Sequence, residues 1–248
     1  MDRQPEDRVY GRHPVYEVLQ SGKSIDRVWI SRDARGELIG DIRKLCKERK
    51  IPVLNVPAQR MKQEVKGNHQ GVLAFLSGVE FQQLEDVLPL IYESGELPFL
   101  LILDRVSDVR NIGAIARSAY IAGVHAIVIP KKGSSALGAD AMKTSAGALQ
   151  HIPVCRHQSL DEVMQICRDN GIHIYALSEK GEKMIGEELL KLPLAMLMGS
   201  EGEGIHPRLL AQCDRVLKLP MTRSFDSYNV SVAAGMALYE VMRQNDQM

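Results

Sequence analysis

The chain has 248 residues, of which 45% are hydrophobic and 25% charged, with a formal net charge of zero. These proportions suit a globular protein with a real core. They exclude a disordered chain, a collagen-like repeat and a small disulfide scaffold. The length suits one large domain or two modest ones. No apolar run approaches the roughly 20 residues needed to cross a bilayer. The opening MDRQPEDRVYGRHPVYEV has no apolar signal-peptide core, so a cytoplasmic location is expected. Cys46, Cys155, Cys167 and Cys213 form no CxxC pair and read as free thiols of a reducing compartment. His151, Cys155 and His157 match no common zinc spacing, so no metal site is expected.

Charge is unevenly spread. Residues 1–78 hold 15 Lys and Arg against 10 Asp and Glu, a balance of +5; residues 79–248 hold 16 against 21, a balance of −5. The first part therefore suits contact with a polyanion. Along it, Pro14 suits the start of a short helix ending near Gly22. Val28–Trp29–Ile30 suits a buried strand. Leu38, Ile42, Leu45 and Cys46 recur at helical spacing, and the helix closes in the basic run 47–50, where cations suit its dipole. A strand over 52–56, a helix over 58–65 and a strand over 72–76 complete a compact α/β module over 1–78.

Residues 79–98 contain acidic residues, no basic ones and two prolines, and read as a linker with a short helix. From Phe99 the strands become near-continuous apolar runs: FLLIL, AIVIP, IPV, HIYAL, LAMLM and RVLKL. Such runs suit strands covered on both faces, hence a parallel sheet between helix layers over 99–248. Helices are expected over 111–122, closed by Gly123, over 159–170, opened by a Ser159–Glu162 capping box, and over 229–244.

Three segments following strands contain polar residues that a scaffold does not need, where ligands gather in open α/β sheets. In residues 103–124, Asn111 opens a helix and Arg117 interrupts a small, apolar face. Read locally, Arg117 has a plain role too, extending to solvent or pairing with Asp104 or Asp108. In residues 194–210, a strand leads into Gly199, Glu201, Gly202 and Gly204. These glycines allow close approach of backbone to a ligand, or make a simple turn. Neither the GxGxxG nor the Walker pattern is present. In residues 217–244, a polar loop delivers Ser227, Tyr228, Asn229 and Ser231 to a helix N-terminus. Ser227 as an N-cap and Asn229 as a turn residue are the local alternatives.

Taken together, NIGAIAR, LMGSEGEGI and LPM…SYNVSVAAG, in that order, resemble the motifs of SpoU-type RNA 2′-O-ribose methyltransferases of the SPOUT superfamily. YGRHPVYEVL and NHQGV at 68–72 are similar to the auxiliary domain of bacterial enzymes that methylate a 23S ribosomal RNA guanosine. The resemblance implies a C-terminal parallel sheet with a deep trefoil knot, an exception to unknotted topology, beside a small N-terminal α/β RNA-binding domain. It implies a homodimer, an RNA partner and S-adenosylmethionine as cofactor. By position it assigns Asn111, Arg117, Glu201, Ser227 and Asn229 to catalysis. It assigns Met198, Gly199, Glu201, Leu219, Met221, Tyr228 and Asn229 to the cofactor. Arg12, His13, Arg43, Lys44 and Lys47 are the candidate RNA contacts. A transfer RNA substrate and a non-catalytic RNA-binding protein are the alternative readings.

The chain departs from the family pattern in three places. Tyr228 stands where Leu is usual, Arg223 lies where Gly is common, and Val109 replaces the Pro after Asp108. Tyr228 is thereby expected to stack on the cofactor's adenine or to narrow its pocket.

Overall fold

The computed structural model describes residues 7–134, 137–223 and 227–245. Residues 224–226, within the polar loop of the third segment, and 1–6 of the opening lie outside them. Two compact units make up the chain: Met1–Glu80 with Ala136–Ala139, and Phe81–Ser135 with Asp140–Met248.

The first unit contains β1 (Arg8–Tyr10), α1 (Arg12–Gln20), β2 (Ile25–Ser31), α2 (Glu37–Glu48), β3 (Val53–Val56), α3 (Ala58–Glu64) and β4 (Val72–Leu76). Its sheet order is β1-β4-β2-β3, antiparallel except for the β2–β3 pair. Side chains alternate across a strand, and here both faces are covered. Val28, Ile30, Val72 and Ala74 pack with Val15, Leu19, Ile39, Ile42 and Cys46 of α1 and α2. Trp29, Leu73 and Phe75 face the other way, onto Met61 and Val65. The sequence signals no strand at β1, which is a short edge strand.

The second unit contains β5 (Phe81–Gln82), α4 (Leu84–Glu93), β6 (Phe99–Asp104), α5 (Val109–Ile121), β7 (Ala126–Pro130), α6 (Ala139–Thr144), β8 (Val154–His157), α7 (Leu160–Asp169), β9 (His173–Leu177), β10 (Lys183–Met184), β11 (Leu194–Gly199), α8 (Pro207–Leu210), β12 (Arg215–Lys218) and α9 (Val230–Gln244). All eight strands are parallel, in the order β10-β12-β9-β11-β6-β7-β8-β5. Every residue of β6 and β7 is buried, as expected for strands between helix layers. One face packs Leu100, Ile102, Val128, Ala195 and Leu197 against α4, α7 and α8. The alternate residues Leu101, Leu103, Met196 and Met198 are buried on the opposite face, where α9 meets β11 and packs against α5.

Residues 81–93, expected within a linker, instead give the second unit an edge strand and a core helix. Leu84, Val87, Leu88 and Ile91 of α4 are buried while Glu85 and Glu93 are exposed, so the acidic run is the outer face of an amphipathic helix. Helix α5 starts two residues before Asn111, because Asp108 caps it: Asp108 Oδ1 accepts from Arg110 N at 2.6 Å and Asn111 N at 3.4 Å. Ser159 caps α7 through Asp161 N rather than in a box with Glu162. No helix among the described residues is long and apolar enough to cross a membrane.

Candidate active site

Strand order reverses beside β6: β7 lies on one side and β11 on the other. Ligand sites of open α/β sheets form outside the carboxyl ends of strands at such a point. A pocket of about 380 Å³ lies on the β11 side of that point, at the carboxyl ends of β9, β11 and β12. Leu177, Met198, Ile205, Leu219, Val230 and Ala233 give it apolar walls, and the Gly-rich loop 199–205 forms one side. Gly199 is required there: a Cβ on it would stand 2.2 Å from Gly204 C and 2.3 Å from Ile205 N.

The three polar segments meet at one carboxylate. Glu201 Oε1 accepts from Asn111 Nδ2 at 3.0 Å, from Asn229 Nδ2, and from Val230 N at 3.4 Å. Asn229 Nδ2 also donates to Asn111 Oδ1 at 3.1 Å. The other end of Asn229 caps α9, its Oδ1 accepting from Ser231 N at 2.9 Å and Val232 N at 3.3 Å. Asn229, not Ser227, is thus the N-cap, and one amide both starts a helix and joins it to two other segments.

Six of the seven residues assigned to the cofactor by position line the pocket: Met198, Gly199, Glu201, Leu219, Met221 and Tyr228. Ser227 lines it too, whereas Asn229 stands beside it, in the Glu201 network. Tyr228 Oη donates to Pro220 O at 3.0 Å and ties the two limbs of the last loop together. Arg117 is separate. It lies about 9 Å further along α5 than Asn111 and about 120° round the helix. It is exposed, and it forms neither of the ion pairs its sequence neighbourhood suggests: Asp104 pairs with Arg105 and Asp108 caps α5.

Sequence reasoning missed Leu177, Ser178, Glu179 and Lys180, which line the pocket just after β9. The rule that flagged the ends of the other strands applies there too. Glu179, Glu201 and Glu203 line the pocket beside Lys180; Glu201 is held in the Asn111–Asn229 network and Glu203 pairs with Arg105. The cysteines are unsuited to nucleophilic chemistry. Burial pushes the Cys155, Cys167 and Cys213 thiols up to about 12 and Cys46 up to about 11.

In the first unit the five candidate RNA contacts form two groups. Arg12 and His13 open α1, where Arg12 Nε donates to Gln70 O at 3.1 Å and Arg12 N to Gln70 Oε1 at 3.1 Å. Arg12 also reaches the start of α2, with Nη1 3.3 Å from where a Cβ on Gly36 would sit. Arg43, Lys44 and Lys47 are exposed about 10–16 Å further along α2. Arg43 donates to Asn55 Oδ1 at 2.6 Å.

Comparison with known proteins bears on this arrangement directly. The sequence model described as the SpoU rRNA Methylase family matches residues 98–239, and that of RNA 2′-O ribose methyltransferase substrate binding matches residues 8–82. A Bacillus subtilis protein named as a TrmH family tRNA/rRNA methyltransferase, YacO, is 35% identical over 98% of this chain and 98% of its own. Two solved structures share the fold. The SpoU methyltransferase AviRb of Streptomyces viridochromogenes, in complex with AdoMet, superposes with TM-score 0.62 at 21% identity, covering 97% of this chain and 91% of its own. An AdoMet-bound rRNA methyltransferase of Sinorhizobium meliloti gives 0.60 at 22%, covering 96% and 87%. This chain belongs to the SpoU rRNA methylase family and has, ahead of its methylase part, the family's RNA substrate-binding module.

Proposed function

We propose that the chain transfers a methyl group from S-adenosylmethionine to a ribose 2′-hydroxyl of RNA, with a guanosine of 23S ribosomal RNA as substrate. The observation that carries this reading is the meeting of all three motifs on Glu201, at the rim of a small-molecule pocket. The pocket fits the cofactor in kind. Its volume lies within the roughly 300–1,000 Å³ usual for such ligands. Its apolar walls suit a purine, and Glu179 and Lys180 place one charge of each sign in its lining for the charged end of the cofactor. When bound, the cofactor supplies a methyl carbon activated by a sulfonium.

That carbon needs little further activation, so the protein's task is positioning and stabilising charge on the attacking oxygen. Glu201, Asn111 and Asn229 fix the loop geometry. Arg117 is an exposed cation available for the RNA. A guanidinium keeps its charge in proteins, so Arg117 holds the adjacent phosphate and stabilises the developing alkoxide rather than taking a proton. Ser227 lines the pocket and is a further candidate for contact with the reacting groups.

A homodimer completes the reading. Ile121 is 69% exposed and Tyr239 57%, and with Tyr120 and Val232 they leave the α5 and α9 faces apolar next to Arg117. A second copy covering them brings its own Arg117 towards the site. RNA is held by the N-terminal module, with Arg12, His13, Arg43, Lys44 and Lys47 as phosphate contacts. The reading also carries a deep trefoil knot formed by the C-terminal segment.

The test is methyl transfer from labelled S-adenosylmethionine to unmodified 23S rRNA and to bulk tRNA, with Arg117→Ala as control and the modified ribose mapped. Arg117-dependent label on one rRNA guanosine is the expected result. Label on tRNA alone moves the substrate assignment, which the TrmH-type relative's tRNA/rRNA name leaves open. No label on either, in folded protein, overturns the enzymatic reading in favour of an RNA-binding protein.

A further inference from the structure

Arg105 follows β6 directly and has a left-handed backbone, with φ at 55°. A side chain makes that conformation costly, so a non-glycine residue persists there only if its contacts hold it. Arg105 has such contacts. Its Nε donates to Asp104 Oδ1 at 3.1 Å, and its Nη2 to Asp104 Oδ2 and to Gly204 O, each at 3.3 Å. Its Nη1 pairs with Glu203. Gly133 leaves space for the chain, since a Cβ there would stand 3.0 Å from Arg105 Cγ.

These partners link one strand end to one loop. Asp104 is only 4% exposed and lies opposite Gly199 across the β6–β11 pair. Its Oδ2 also accepts from His206 N at 2.8 Å. The loop 200–206 thus leaves β11, turns through a Gly204 N to Ser200 O bond of 2.9 Å, and returns to Asp104. It carries two carboxylates held by different groups. Glu201 is held by Asn111 and Asn229, and Glu203 by Arg105. Both limbs of this loop line the pocket.

We propose that Arg105 is a positioning residue for the cofactor, clamping the Glu203–Gly204 limb of the Gly-rich loop onto the end of β6. The proposal rests on the cofactor reading above. The simpler role, in which Arg105 only neutralises the buried Asp104, makes different predictions.

Arg105→Gly is the informative variant. Glycine takes the φ of 55° freely, so the fold is retained while the clamp is lost. Glu203→Gln leaves the Asp104 pair and removes the charge at the loop. Arg105→Lys keeps a cation without the fork that spans three acceptors. Three quantities are measured on the full chain: the melting temperature, calorimetric affinity for S-adenosylmethionine, and hydrogen exchange of the 201–206 amides without cofactor.

In Arg105→Gly the dissociation constant rises roughly tenfold, in the range of ordinary coupling between contacts and a site. The 201–206 amides exchange faster, and the melting temperature falls as well because the buried Asp104 loses its counterion. Glu203→Gln, which leaves that pair in place, separates the two roles: it shows part of the affinity loss with the melting temperature nearly unchanged. Arg105→Lys recovers part, and Arg105→Gly with Glu203→Gln is no worse than Arg105→Gly alone. Unchanged affinity and unchanged exchange in Arg105→Gly, beside a wild type that binds, overturn the clamp alone. A folded wild type that binds no S-adenosylmethionine overturns the cofactor reading and this proposal with it.

Discussion

Asn111 and Asn229, 118 residues apart in the chain, are joined by a hydrogen bond of 3.1 Å, and both donate to the same oxygen of Glu201. The relationship fixes both amides. Each Nδ2 must face Glu201, so each Oδ1 faces away, Asn229 Oδ1 onto the first N–H groups of α9 and Asn111 Oδ1 onto Asn229. The start of α9, the first turn of α5 and the Gly-rich loop therefore move as one group.

Removing the shared acceptor should show this. Glu201→Ala leaves Asn111 Nδ2 and Val230 N without this acceptor and Asn229 Nδ2 with Asn111 Oδ1 alone, whereas Glu201→Gln keeps an oxygen that accepts more weakly. A misplacement of about 1 Å at a reacting centre costs on the order of 100-fold. Methyl transfer should thus fall about 100-fold in the alanine variant and less in the glutamine variant. Asn229→Asp is a sharper test. It keeps the α9 cap acceptor but sets a second carboxylate against Glu201. Such a pair binds one proton more tightly than either acid alone, so activity should recover as pH falls. A pH profile parallel to wild type counts against the shared-acceptor arrangement.

The central strands were readable from sequence because burial on both faces turns each into an unbroken apolar run. The strands that were not readable, β1, β5 and β10, are short pieces at sheet edges, such as Lys183–Met184, with too few buried residues to leave a pattern. In the site, residue types were legible and contacts were not. Asn111 and Glu201 meet because β11 inserts beside β6, across a crossover that no local spacing encodes. Arg105 gave no signal, since nothing in an isolated Asp–Arg pair reveals a left-handed backbone.

The Tyr228 hydroxyl anchors its side chain to the backbone of the last loop. Its bond to Pro220 O ties Tyr228, which lines the pocket, to the backbone between Leu219 and Met221, which line it too. Tyr228→Phe keeps the ring and removes a bond worth about 0.5–1.5 kcal/mol. Cofactor affinity should fall a few-fold in calorimetric titration, with the melting temperature nearly unchanged. Tyr228→Leu also removes the ring and should fall further if the ring contacts the adenine. Equal affinities in all three proteins would leave Tyr228 with no role in the pocket.

His69 makes the first unit sensitive to acid. Its Nδ1 accepts from Gly71 N at 3.0 Å, which only an unprotonated Nδ1 can do. Burial, with nearby Lys62, holds its pKa below the usual 6.5. The folded state thus binds this proton less readily than the unfolded one. The contribution to stability is fully present above pH 6.5 and is lost as pH falls through the lower folded value. Exchange of the Gly71 amide should accelerate on acidification from neutral pH, and His69→Gln should remove that step. An imidazole titrating at or above 6.5 by NMR contradicts the argument.

Gly113, two residues after Asn111, sets how closely α5 approaches the end of α6. A Cβ there would stand 1.9 Å from Thr144 Oγ1, 2.7 Å from Thr144 Cβ and 3.0 Å from Ser145 N. Helix propensity alone favours alanine by about 1 kcal/mol. The steric cost opposes it, because Thr144 Oγ1 is held by Asp140 O at 2.8 Å and Ala141 O at 3.2 Å. Overpacking costs about 1–3 kcal/mol, so the clash wins. Denaturant unfolding of Gly113→Ala should show a net loss of that order. Adding Thr144→Ala removes the closest contact but leaves the Cβ, so it should restore only part of the loss. Methyl transfer should fall with stability in the single variant, because the helix that must shift carries Asn111. A Gly113→Ala protein as stable as wild type would mean that α5 has more room than the Thr144 contact implies.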